Sequence, residues 1–405
     1  MTTTTPSAPP AQPGLLRSLN NRTVLRLLTE RGTLSRGDVR DLTGLSKPTA
    51  SQLLTRLEDA GLVESAGFGD TGPGGRAPQL YRIVGAAGHA AAIDARPGAI
   101  YARVADITGK VVGSATTTPR GDAVADTIGA LEAACAASGI TTTNLNAVVI
   151  GAPGSFDTTT DQVRYADHLV GWQNPGITAA IGERLPGAIV AIENDVNLVA
   201  IAELHRAATA TTTLTPGGTV DTSADDFFLL WLDERVGGAL VIGGTIYRGH
   251  RGAAGEAAFL LPSGVTPDDT TQASGGFEQL VGEDALSALA ARAVADAAPA
   301  RSAPSAAATA MAAVAADPAL LPQLARRYAV GIASVIALLD PARIVLAGEL
   351  TVVGGEQLRA AIAVELGDLV IAAPPVVLSA DPGEPILDGA LILSLEHARA
   401  SVFST

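Results

Sequence analysis

LSRGDVRDLTGLSKPTASQLLTRLEDAGLV (residues 34–63) decides how the front of this chain folds. Ser35 is suited to cap a first helix through Leu42, and Asp38, three residues on, can close a capping box. Gly44 then supplies a tight turn, with Leu45 as the apolar residue that fills the angle between two helices. Ser46 caps a second helix carrying Pro48 in its first turn, where a missing N–H costs nothing. Leu53, Leu54 and Leu57 form the buried stripe of that helix at helical spacing. Lys47, Thr49, Ser51, Gln52 and Arg56 are left on the other face, short polar donors flanked by cations, as on a helix that enters a DNA major groove. Taken alone, the stretch also fits an ordinary helical hairpin with a solvated face.

Its flanks favour DNA. Residues 14–31 (GLLRSLNNRTVLRLLTER) carry leucines and a valine at helical spacing and read as a first helix packed on the hairpin. After Val63, glycines at 67, 69, 72, 74 and 75 surround Arg76, and Leu80, Tyr81, Ile83 and Val84 resume a strand. Two strands joined by a Gly-rich tip make a wing, whose Arg76 can enter a narrow minor groove. A flexible linker is the alternative for so Gly-rich a segment. The expected head is a winged helix-turn-helix over residues 14–85, preceded by a disordered tail over 1–13.

Charge divides along the same boundary. Residues 14–85 hold ten Arg/Lys against seven Asp/Glu, a net of +3, whereas the rest of the chain carries −17 of the total −14. A mildly basic head on an acidic body suits docking on DNA by one end, although acidic bodies also serve solubility alone. The 405 residues, 47% of them apolar, are enough for two or three cores. There is no apolar run of membrane-spanning length and no signal-peptide pattern. The single cysteine, Cys135, excludes an intrachain disulfide framework and a multi-cysteine zinc site. The expectation is a cytoplasmic protein with no membrane partner.

From His89 the pattern becomes α/β. Ala90–Ala95, Ile100–Asp106 and Val111–Thr117 read as three strands joined by tight turns, followed by a helix over Ala123–Ala137 and a strand over Ala147–Ile150. Three strands followed by alternating helix and strand open an actin-like sugar-kinase lobe. A second lobe is expected between Phe227 and Ala372, with an Ala-rich helical part over 284–339 and a strand at Arg343–Leu346. Residues 207–226 are Thr/Gly-rich without apolar period and read as an inserted loop.

Four body segments then carry a family resemblance: IGAPGSFD (150–157), RYADHLVGW (164–172), ENDVNLVAIAE (193–203) and GGALVIGGTIYRGHRGAAGEAAF (237–259). In this order, behind a winged helix-turn-helix, they resemble the ROK family of repressors and sugar kinases, on its regulator branch. The resemblance implies an actin-like fold of two lobes over 86–405. It also implies a sugar site at Asn194 and Asp195, the latter in the position of the kinases' general base. Capping of the following helix is the structural alternative for Asp195. Glu256 and Glu278 match further sugar-binding positions. Phe259 stands where the family has a sugar- and zinc-binding histidine, and it can stack on a sugar or fill space. Asp269, Thr271 and Gly276 occupy the family's zinc-cysteine positions, so no metal is expected.

The nucleotide turns depart from the family pattern as well. Asp94-Ala95-Arg96-Pro97-Gly98 replaces a glycine-threonine phosphate turn. Asp233-Glu234-Arg235 brings two carboxylates into the second turn, and Ala347-Gly348-Glu349 alters the third. No catalytic residue and no cofactor are therefore expected, with Asp195 a vestigial base. The expected function is transcriptional regulation, as a repressor of carbohydrate-related genes acting as a homodimer or homotetramer on operator DNA. Ser46, Lys47, Thr49, Ser51, Gln52, Arg56 and Arg76 would contact DNA. A sugar or sugar derivative would bind at Asn194, Asp195, Glu256, Phe259 and Glu278. The alternatives are a working sugar kinase with an accessory head, and a regulator that no longer binds sugar.

Overall fold

The computed structural model describes residues 13–70, 77–157, 159–164, 169–214, 226–233, 235–262, 275–293, 305–380 and 383–404. The head begins with α1 (Pro13–Arg31), one residue before the expected boundary. A two-residue strand β1 (Leu34–Ser35) leads into α2 (Arg36–Thr43), the turn, and α3 (Lys47–Asp59). The capping box is formed: the Ser35 hydroxyl accepts from the Asp38 N–H at 3.1 Å, and Asp38 accepts from the Ser35 N–H at 2.8 Å. Gly44 ends α2 at φ +69°, a conformation that only glycine adopts without strain. The wing strands β2 (Val63–Phe68) and β3 (Gln79–Ile83) pair antiparallel, and β1 adds to the other side of β3. The sequence pattern had not indicated that third strand. Val24, Leu25, Leu28, Val39, Leu53, Leu54, Leu57 and Tyr81 are fully buried beneath it.

The first lobe is built on β4 (His89–Ala95), β5 (Ile100–Asp106), β6 (Val111–Thr117), β7 (Leu145–Ala152) and β10 (Ile189–Asn194), in the order β10-β7-β4-β5-β6. Between them lie α4 (Ala123–Ala137), a small hairpin of β8 (Ser155–Asp157) and β9 (Gln162–Arg164), and α5 (Ile177–Arg184). Strand β4 is buried on both faces, which explains its run of small apolar residues. Helix α6 (Asp195–Leu214) follows β10 directly. It runs eight residues into the segment expected to be an inserted loop. Ala and Thr in that stretch permit helix even without an amphipathic period, and residues 215–225 lie outside the described residues.

The second lobe has β11 (Phe227–Leu232), β12 (Val236–Ile242), β13 (Thr245–Ile246), β14 (Arg343–Ala347) and β15 (Val376–Leu378), in the order β13-β12-β11-β14-β15. Helices α7 (Gly276–Val281), α8 (Glu283–Ala293), α9 (Ala306–Ala316), α10 (Leu320–Leu339) and α11 (Glu349–Gly367) cover its outer face. The last helix, α12 (Pro385–Val402), returns to the first lobe.

The layers follow from where the apolar residues point. Ala91, Ile93 and Val148 face α4 and α5, while Ala90, Ala92 and Val149 face α6 and α12. The inner face of the second sheet, with Leu229 and Val345, closes on the same two helices. Helices α6 and α12 are thus sandwiched between the sheets, as in the expected actin-like fold. The apolar layer they share extends without a break through Ile107, Leu395 and Phe403 into Leu25 and Ile83 of the head. Arg22 of α1 donates to the Ser404 hydroxyl at 2.6 Å, and Arg399 of α12 to the carbonyl of Ile107 at 3.0 Å. No helix among the described residues is long and apolar enough to cross a membrane.

Candidate functional site

Two features of the molecule can recognise a ligand. On the head, Ser46 caps α3: its Oγ lies 2.8 Å from the Thr49 hydroxyl and accepts the Thr49 N–H at 3.4 Å. Pro48 sits in the first turn, as expected. Lys47, Gln52 and Arg56 are exposed, and Ser51 is half-buried. Among the described residues the side chains of Lys47, Gln52 and Arg56 make no hydrogen bond or ion pair, so their donors project outward from the helix. The hydroxyls of Ser46 and Thr49, both expected to contact DNA, lie within hydrogen-bond distance of each other. At the base of the wing, Arg36 lies over the Tyr81 ring at 4.9 Å and donates to Gln79 at 3.2 Å. Arg76 lies outside the described residues.

In the body, a cavity of about 540 Å³ opens between the lobes. It lies at the carboxyl ends of the parallel strands β4, β7 and β10 on one side and of β11 and β14 on the other. Parallel sheets place side chains around such a crevice because each strand ends there in a turn. Asp94 and Arg96 lie on either side of the end of β4, Pro153 and Gly154 follow β7, and Asn194 ends β10 with Asp195 next to it. Trp231, Asp233 and Arg235 surround the turn between β11 and β12, and Glu349 begins α11. Glu256 and Phe259 complete the wall.

Asn194 holds the floor. Its Nδ2 donates to the Gly154 carbonyl at 3.0 Å, and its Oδ1 accepts from the Asn197 N–H at 3.0 Å, so Asn194 caps α6. The capping alternative considered for Asp195 falls mainly to its neighbour. Among the described residues, Asp195 Oδ1 accepts only the Val196 N–H, at 2.8 Å. Behind them, Glu193 accepts from Asn197 Nδ2 at 2.9 Å and from Arg248 Nε at 2.7 Å, tying a loop of the second lobe to the last strand of the first. Glu193 was not singled out from sequence. Its place in the run Glu193-Asn194-Asp195 was the available signal.

Burial raises the pKa of Asp195 to about 7, an effect opposed by the Val196 N–H and strengthened by the charges of Asp94 and Glu256. Burial also raises Glu256, against the lowering field of Arg235. Asp94 is raised by burial and held in check by Arg96, which donates to it at 2.8 Å.

Glu278 is placed differently from Asn194, Asp195, Glu256 and Phe259. It does not line the cavity; its Oε2 accepts the Val236 N–H at 2.9 Å and so braces the start of β12. Phe259 is half-buried, with its ring against the second-lobe core and one side on the cavity.

The three turns that would take a nucleotide are chemically altered. In the first, the Arg96 guanidinium caps the Asp94 carboxylate (2.6 Å) and lies over Tyr101 at 5.1 Å. The second presents Asp233. In the third, Gly348 takes φ +97°, and a Cβ there would meet the Leu232 carbonyl at 2.4 Å, so the turn itself persists. Glu349 nevertheless places a carboxylate at the start of α11, where Ser305 donates to it at 2.6 Å. A helix N-terminus that already holds a carboxylate is poorly suited to phosphate. The residues present therefore do not fit a bound nucleotide. Nor do Phe259 and Gly276 fit a zinc ion, since neither has a ligand atom on its side chain; Asp269 and Thr271 lie outside the described residues.

A family model described as ROK family matches residues 91–376, and one described as MarR family matches residues 18–71. A provisionally named xylose repressor from Caldicellulosiruptor sp. (strain Rt8B.4) is 26% identical over 253 residues, 61% of this chain and 59% of the relative. The chain therefore spans less than two thirds of that relative's length. Among solved structures, a ROK hexokinase from Thermus thermophilus is 25% identical with a TM-score of 0.58, over 76% of this chain and 97% of its own. A ROK family transcriptional regulator, a homologue of the E. coli MLC protein, shares the fold over 96% of this chain and 99% of its own, at 18% identity and a TM-score of 0.69. With the ROK model covering most of the body and a winged helix in front of it, this chain belongs to the ROK family.

Proposed function

We propose that the protein is a DNA-binding transcriptional regulator, a repressor of carbohydrate-related genes, whose kinase-like body senses a sugar and no longer transfers phosphate. One observation supports this most directly. The outward face of α3, with Lys47, Gln52 and Arg56 unbonded among the described residues, rests on an apolar core continuous with the helices that begin at the cleft. Such a face can donate to base edges and phosphates, with Arg76 of the wing tip as a further contact. As a ROK regulator it would act as a homodimer or homotetramer, matching its two-fold symmetry to a palindromic operator. Sugar hydroxyls would meet Asn194, Asp195 and Glu256, with Phe259 against the ring. Glu278 would act through the turn it braces.

A mobility-shift titration against operator fragments recovered by genome-wide binding-site mapping tests the proposal. Gln52→Ala and Lys47→Ala should each weaken binding by about tenfold, one lost base or phosphate contact being worth roughly 1–3 kcal/mol. Unchanged binding in both variants would show that α3 is not the DNA-reading helix.

A sugar kinase with an accessory head is the second reading. It is favoured by Asp195, whose raised pKa at the end of a strand suits a general base. It requires ADP release from ATP in the presence of a hexose, abolished in Asp195→Asn. The carboxylates in the second and third turns argue against it.

A further inference from the structure

The charge of the cleft is the opposite of what a kinase needs. Five carboxylates line it, from Asp94, Asp195, Asp233, Glu256 and Glu349, against two guanidiniums, from Arg96 and Arg235. Arg96 is already engaged, donating to Asp94 and lying over Tyr101, while Arg235 is exposed at the rim and its field falls on Glu256 and Glu278. Arg96 is therefore not left to receive an anion, and Arg235 alone is outnumbered by the carboxylates. The carboxylates are less well satisfied. Asp195, enclosed by the cleft walls, takes a single N–H on one oxygen, and the Glu256 side chain takes no hydrogen bond from the described residues. Both point into the same 540 Å³ space, which Trp231 and Phe259 bound with aromatic surface. Buried carboxylates with spare acceptor capacity, beside aromatic rings, attract a positive charge. A phosphorylated sugar would meet them with repulsion.

We propose that the ligand of this cleft is a protonated amino sugar, its ammonium group held between Asp195 and Glu256 and its ring against Phe259 or Trp231. This rests on the reading of the cleft as a sugar sensor and adds the charge of the sugar. The ammonium supplies donors to the second Asp195 oxygen and to Glu256, which receive none from the described residues. The surplus of negative charge then discriminates against neutral and phosphorylated forms of the same ring.

Calorimetric titration of the full-length protein tests this at about pH 7, where a good share of an amine is still protonated and its charge favours the ionised form of Asp195. The probes are matched pairs in three stereochemical series: glucose and glucosamine, galactose and galactosamine, mannose and mannosamine. N-acetylglucosamine and glucose 6-phosphate complete the panel. In at least one series the amine should bind about tenfold more tightly than its neutral partner, the difference between a charge-assisted and a neutral hydrogen bond. Glucose 6-phosphate should bind more weakly than glucose, and Glu256→Gln should erase most of the amine's advantage. If a neutral sugar binds as tightly as its amine, or the phosphate binds best, the charge assignment is wrong while the sugar-sensor reading stands. If nothing in the panel binds, the sugar-sensor reading itself fails, and this proposal with it.

Discussion

Asp195 shows how a single residue changes meaning with its surroundings. In the extended chain its carboxyl ionises near pH 4, whereas in the cleft it holds its proton up to about pH 7. Between those values the folded protein binds more protons than the unfolded chain, so this residue's contribution to stability falls as pH rises across the window. Asp195→Asn removes that penalty. The variant should melt close to wild type at pH 4 and above it at pH 8, by about 2 kcal/mol once partial solvent access is allowed for. Thermal denaturation of both proteins across this range checks the sign. At Glu278 the effect is local. Glu278→Ala leaves the Val236 N–H without its acceptor at the start of β12, a loss of about 1–3 kcal/mol that should lower the melting temperature.

At the scale of elements, α3 and α12 matter most. Helix α3 owes its start to the Ser46 hydroxyl, and Ser46→Ala should cost about 1 kcal/mol of head stability. Hydrogen exchange in the first turn of α3 would report that loss even if the global melting temperature barely moves. Helix α12 crosses α6 at backbone contact: a Cβ on Gly389 would lie 1.9 Å from the Leu198 carbonyl. Gly389→Ala must therefore separate the two helices, and overpacking of this kind costs about 1–3 kcal/mol. Because Ile386 of α12 lines the cleft and Phe403, just beyond its end, is buried in the core shared with the head, that separation should also reach DNA binding. Gly389→Ala is expected to retain a folded head by circular dichroism while showing a smaller effect of ligand on operator affinity.

Across the whole molecule, the unbroken apolar layer from α6 and α12 into the head means that head and body do not meet through a flexible tether. Arg22 on Ser404 and Arg399 on the Ile107 carbonyl fasten the same junction. A movement of the lobes about the cleft can therefore tilt the head, and in a symmetric oligomer a tilt changes the spacing of two recognition helices. The cleft and the head would thus be linked by packing rather than by a chain of charges.

Much of this molecule was legible before any coordinates. The capping box of Ser35 and Asp38, the Gly44 turn and the leucine stripe of α3 depend on neighbours within four residues, so local rules were enough. The altered phosphate turns at Asp94–Gly98 and Ala347–Glu349 were visible for the same reason. Other features required residues far apart in the chain to meet. Only the fold brings Arg248 onto Glu193, sets Glu278 on the Val236 N–H behind the cavity wall, and lays α12 between the sheets with its end against the head. Local chemistry determined which elements form and which turns depart from the phosphate-binding pattern. Long-range packing decided which carboxylates share the cleft, because their burial and mutual repulsion exist only once the two sheets close on α6 and α12.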